Sequence, residues 1–66
     1  MTRTMRPPAP PLLYRVEEAA EALRLSRTAI YELIGSGRLR TVKAGSRRLV
    51  PVAALAEYVA SLERAA

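Results

Sequence analysis

The sequence predicts a mainly α-helical domain of three helices that carries one small β-hairpin. Two short amphipathic segments, 16–24 and 27–36, are separated by a tight Leu25-Ser26 break. Two short stretches that mix apolar and basic residues then flank Gly45-Ser46, a hairpin signal. Beyond Pro51, residues Leu55, Tyr58, Val59 and Leu62 recur at helical spacing.

Met1 to Pro11 holds Pro7, Pro8, Pro10 and Pro11 with no apolar periodicity, so 1–11 is expected to be a disordered Pro/Arg tail. Within it Arg3 and Arg6 offer an arm that reaches a DNA groove, but a solvated tail without fixed role is the favoured reading. The domain proper is expected over 12–66. Leu12 to Tyr14 is a short apolar stretch that either pairs as a strand or covers the core. Helix 1 is expected from Val16 to Arg24, with Val16, Ala19, Ala20 and Leu23 on one face and Glu17, Glu21 and Arg24 opposite. Glu17 and Glu18 suit the positive end of the helix dipole. Arg15 sits at the N-cap and cannot accept backbone N–H bonds, but Glu18 can reach back to the cap's own N–H.

Ser26 is a good N-cap for helix 2, expected from Arg27 to Gly35 or Ser36, with Ala29, Ile30, Leu33 and Ile34 facing the core. Gly37 is the expected left-handed stop. Two such helices across a tight break form a helix-turn-helix pattern. Strands are expected over Leu39–Ala44 and Arg47–Val50, with Leu39, Val42, Leu49 and Val50 toward the core. Pro51 is expected at the first position of helix 3, which runs to about Glu63.

With 66 residues the chain allows one domain and a modest core. It has no Cys and no His, which excludes disulfides, zinc fingers and imidazole chemistry, and its carboxylates are all Glu. The serines have no His or Asp with which to build a triad, and no phosphate loop or ligand set appears, so no catalytic residue, metal or cofactor is expected. No apolar run is long enough to span a bilayer. The net charge is +5, and the segment from Arg38 to Arg48 carries five cations (Arg38, Arg40, Lys43, Arg47, Arg48) without an acid, equal to the whole excess. A basic hairpin directly after a helical pair is shaped like a DNA-binding wing, so double-stranded DNA is the expected partner.

The expected contacts fall in two groups. On helix 2, Ser26, Arg27, Thr28 and Tyr31 cluster at the end that a recognition helix presents to base edges. Arg27 has the fork to contact guanine O6 and N7, a pairing that gives ~1–3 kcal/mol of discrimination. Glu32 beside them is awkward against phosphate. On the wing, Arg38, Arg40, Lys43, Ser46, Arg47 and Arg48 are placed for phosphates or a narrow minor groove. The bland alternatives are a solubilising helix face and a charged edge that blocks aggregation, and five cations without an acid exceed what edge protection needs.

The order of residues resembles the small excisionase-type winged helix-turn-helix proteins, relatives of the MerR DNA-binding domain. The resemblance is carried by YRVEEAAEALRLSRTAIYELIGSGRL (14–39), VKAGSRRLVP (42–51) and AALAEYV (53–59). It implies DNA contacts at Ser26, Arg27, Thr28, Tyr31, Lys43, Arg47 and Arg48. Arg15 stands where the family usually has Ser or Thr, and Ala44 is smaller than the usual branched residue. The resemblance further implies an excisionase (recombination directionality factor) of bacterial or phage origin in the cytoplasm. Such a protein binds and bends DNA at an attachment site, with neighbouring copies and a tyrosine integrase as partners and no small-molecule effector. The alternative is a small transcriptional regulator of the same fold at a promoter, and a protein-interaction module using helix 3 is a distant third.

Overall fold

A computed structural model describes residues 11–66. The expected tail up to residue 10, with Arg3 and Arg6, lies outside the described residues. The elements are β1 (Leu13–Tyr14), α1 (Val16–Leu23), α2 (Arg27–Gly35), β2 (Val42–Ala44), β3 (Arg47–Pro51) and α3 (Val52–Ala65). Together they make a winged helix-turn-helix: three helices with an antiparallel hairpin that projects as the wing.

α1 opens on Arg15, whose extended backbone donates its N–H to Glu18 Oε1 at 2.8 Å. The Arg15 guanidinium also binds Glu18 Oε2 at 3.2 Å. Half of a capping box thus forms, with an ion pair where a Ser or Thr hydroxyl would have accepted. The helix ends at Arg24, which takes the left-handed conformation (φ 62°). There the N–H of Arg24 binds the Glu21 carbonyl and that of Leu25 the Ala20 carbonyl. This closing motif usually employs glycine, so Arg24 holds a conformation its Cβ resists.

Ser26 caps α2 through Oγ, which accepts from the Ala29 N–H at 3.1 Å. At the other end Gly37 (φ 81°) makes the same closure, with Gly37 N–H to Ile34 O and Arg38 N–H to Leu33 O. The turn drops Leu39 into the core at 2% exposure. Because that closure and the loop after it consume residues 36–41, the first wing strand is shorter than the expected Leu39–Ala44.

β3 is the central strand, with β2 on one side and β1 on the other. The wing turns through Gly45-Ser46, joining the Ala44–Arg47 pair, and only Gly45 has positive φ (65°). Glycine at the first central position is the arrangement of a type II′ hairpin turn. β1 is a strand, pairing Leu13 with Pro51 and Tyr14 with Val50, so the hairpin belongs to a three-stranded sheet. Leu49 and Val50 were both expected toward the core, but neighbours on a strand face opposite ways. Val50 is fully buried, whereas Leu49 is half-buried on the other face with its partner Val42.

Pro51 is the last residue of β3 and the N-cap of α3, rather than the helix's first residue. Its ψ of 146° keeps it extended and paired with Leu13. The Val52 N–H that follows is satisfied by the Leu12 carbonyl at 3.0 Å. The core gathers Val16, Ala19 and Ala20 of α1, Ile30 of α2, Leu39, Val50, and Ala54 and Leu55 of α3, with Tyr14, Leu23, Leu33, Ile34 and Tyr58 packed around it. Only the first half of the apolar stripe of α3 is covered: Val59 and Leu62 remain 40% and 46% exposed.

Candidate nucleic-acid interface

The geometry of α2 begins with its cap. By holding the Ala29 N–H, Ser26 fixes where the helix starts and so fans Arg27 and Thr28 outward in its first turn, both exposed. One turn on, Tyr31 is 54% exposed although Ile30 beside it is fully buried. The helix therefore presents one exposed face, from Arg27 and Thr28 through Tyr31 to Gly35.

That face meets the wing in a cleft of about 380 Å³, lined by Arg15, Val16, Glu17, Tyr31, Arg47, Arg48 and Leu49. Three expected site residues, Tyr31, Arg47 and Arg48, thus come together from α2 and β3. Of the lining residues Val16 is buried and Leu49 half-buried, while Arg15, Arg47 and Arg48 are exposed. The start of α1 contributes Val16 and Glu17 to the lining.

The remaining expected residues sort by distance from this cleft. Ser26, Arg27 and Thr28 continue the α2 face beyond it. Lys43 and Ser46 are on the hairpin, Lys43 on β2 and Ser46 in the turn. Arg38 and Arg40 precede β2 and are not part of the hairpin, which corrects their placement on the wing. Arg40 is also not a free cation. Its Nη2 and Nε donate to Glu57 Oε2 and Oε1 of α3 at 3.0 and 3.4 Å, a forked ion pair. An acid seventeen residues away thus offsets one of the five cations that looked uncompensated along the chain.

Two cleft residues escaped the sequence reading, Arg15 and Glu17. Along the sequence Arg15 shows only as a poor cap that departs from Ser or Thr. Its guanidinium is anchored by Glu18, and the Glu18 carboxyl is held below its usual range, first by the Arg15 backbone N–H and then by the side chain. Glu17, expected on the solvent side of helix 1, faces the cleft and lies 3.9 Å from Arg27 Nη1. The acid that lines the cleft is Glu17, while Glu32 is exposed on α2 outside that lining.

Among the described residues no group of side chains gathers with metal-binding potential, and no helix is long and apolar enough to cross a membrane. Residues 13–63, from β1 into α3, match the family of helix-turn-helix domains. Over 51 residues the chain is 43% identical to a Saccharopolyspora erythraea protein named probable excisionase. That alignment takes in 77% of this chain and 52% of the relative, so the chain spans about half the relative's length. No solved structure gives a significant match. The matched residues extend from β1 through both helices of the pair and the wing into α3, and the chain belongs to the helix-turn-helix domain family.

Proposed function

We propose that this protein is an excisionase: it binds double-stranded DNA at the attachment site of a mobile element and bends it. It thereby helps a tyrosine integrase excise the element, without cutting DNA itself. The observation that carries the reading is the cleft, where Tyr31 of the second helix and Arg47 and Arg48 of the wing converge beside the exposed Arg27 and Thr28. In this reading α2 enters the major groove with Arg27, Thr28 and Tyr31 toward bases and sugar, while Lys43, Ser46, Arg47 and Arg48 hold backbone or minor groove. The name of the similar S. erythraea protein supports the same assignment.

The size of the module explains why bending and repetition go with binding. One such unit buries only roughly 600–1,000 Å² on DNA, and one short helix reads few base pairs. Useful selectivity then comes from several copies side by side. Bending a 20–30 bp site costs on the order of 1–6 kcal/mol, which the contacts of several wings offset.

Excision of a marked element by its integrase, with and without this protein, tests the assignment. Excision that rises with added protein and falls in Arg47→Ala/Arg48→Ala is the expected result. Duplex binding without any effect on excision would transfer the assignment to control of a promoter.

A further inference from the structure

We propose that Glu17 is a positioning residue for Arg27: a carboxylate from α1 that holds the α2 guanidinium for reading a guanine and away from gripping phosphate. The inference rests on the DNA-binding reading above. Of the charged side chains that line the cleft, Arg15, Arg47 and Arg48 are cations and Glu17 is the acid. Glu17 and Glu18 are neighbours at the start of α1, and each faces a different arginine. Glu18 is committed to Arg15 at 3.2 Å, which leaves Glu17 for Arg27 at 3.9 Å across the helix pair.

This ion pair contributes little to the fold, because its side chains are 67% and 59% exposed. Its effect lies in the direction it gives Arg27. A long arginine at the front of a recognition helix is drawn to the dense phosphate charge as readily as to a base edge. Its guanidinium carries five N–H donors on a planar fork. Glu17 attracts Nη1, which leaves the Nε–Nη2 edge for the paired contact to guanine O6 and N7. The same carboxylate opposes phosphate, and that penalty falls on every duplex regardless of sequence. Glu17 thus lowers affinity for DNA in general and raises the share of binding that depends on sequence.

The test selects a randomised duplex pool with the wild-type chain, Glu17→Gln, Glu17→Asp, Arg27→Ala and the Glu17→Gln/Arg27→Ala double variant. Each is also titrated against one mixed-sequence duplex. Glu17→Gln is expected to bind the mixed duplex roughly twofold to fivefold tighter, the range set by one exposed charge interaction. Its guanine preference at the position Arg27 reads is expected to fall to the level of Arg27→Ala. Glu17→Asp keeps the charge but not the reach, so it loses the preference without the gain in general affinity. In the Arg27→Ala background, Glu17→Gln changes general affinity alone. Unchanged preference in Glu17→Gln overturns the proposal, as does a preference loss that persists undiminished without Arg27. A wild-type chain with no salt-dependent duplex binding overturns the DNA-binding reading instead, so the two failures are told apart.

Discussion

Lys43 and Arg48 are partners across the wing, paired directly in the β2–β3 register. Opposed like charges cost a hairpin a few tenths to about 1 kcal/mol. Arg48 turns aside, donating from Nη1 to Thr41 Oγ1 at 3.4 Å. Their face of β3 also carries Val50, so it is core at its base and doubly cationic toward the tip. A polyanion laid on that tip removes the repulsion the free protein carries.

Stability and DNA affinity are therefore expected to respond in opposite directions at Lys43. Lys43→Glu converts the repelling pair to an attracting one and is expected to stabilise the free domain by about 0.2–1 kcal/mol, seen as a higher Tm. The same change should weaken duplex binding and make the plot of log affinity against log salt shallower by about 1. A variant that loses both stability and affinity would show that the pair does not strain the wing.

Arg40 and Arg47 should differ sharply. For the whole chain, five to seven phosphate contacts give a salt slope of about −4 to −6. Arg47→Ala is expected to make that slope shallower by about 1. Arg40→Ala should leave it unchanged, since its charge is matched by Glu57, and cost stability about 0–1 kcal/mol as an exposed ion pair does. Equal changes in slope would mean that Arg40 leaves Glu57 to meet DNA.

The two left-handed helix ends make a matched pair of tests. Arg24→Gly relieves a conformation that costs a residue with a Cβ ~1–2 kcal/mol, partly offset by the greater freedom of glycine when unfolded. A net gain of about 0.5–1 kcal/mol is expected, a rise in Tm of about 2–8 °C for a domain this small. Gly37→Ala should lose about 1 kcal/mol. Beyond Gly37 and its two chain neighbours, no heavy atom lies within 4 Å of the position its Cβ would take, so the loss is backbone strain.

Acid sensitivity should map in part to the start of α1. The Glu18 carboxyl is lowered by the Arg15 N–H and guanidinium, so its folded value lies below its unfolded one. Such a group contributes stability above the unfolded value and loses it as pH falls through the folded value. Urea unfolding of the wild type and Glu18→Gln should therefore differ at neutral pH and converge below the usual glutamate range. A difference that stays constant with pH would mean the carboxylate charge is not what holds this cap.

The fold was largely legible because its signals are local. Ser26 as a cap acts through its hydroxyl on the next turn, Gly37 as a stop and Gly45-Ser46 as a turn act through their own backbone, and each is found where the sequence places it. The helix faces follow from periodicity, as Val16, Ala19, Ala20 and Ile30 in the core attest. Arg24 was invisible because nothing in an arginine signals positive φ. The charge map changed for a different reason. Arg40 meets Glu57 and Glu17 nears Arg27 only after the helices pack, so counting along the chain misjudged which cations stand free. Tyr31, Arg47 and Arg48 do share one cleft, but Arg15 joins them through tertiary placement that no spacing rule encodes.

Pro51 ends β3 and caps α3 with no residue between them. Its ring locks φ near the observed −64°, and Leu13 pins it from the neighbouring strand. Wing and last helix consequently meet with no linker between them, and the start of α3 is set by the same residue that closes the sheet.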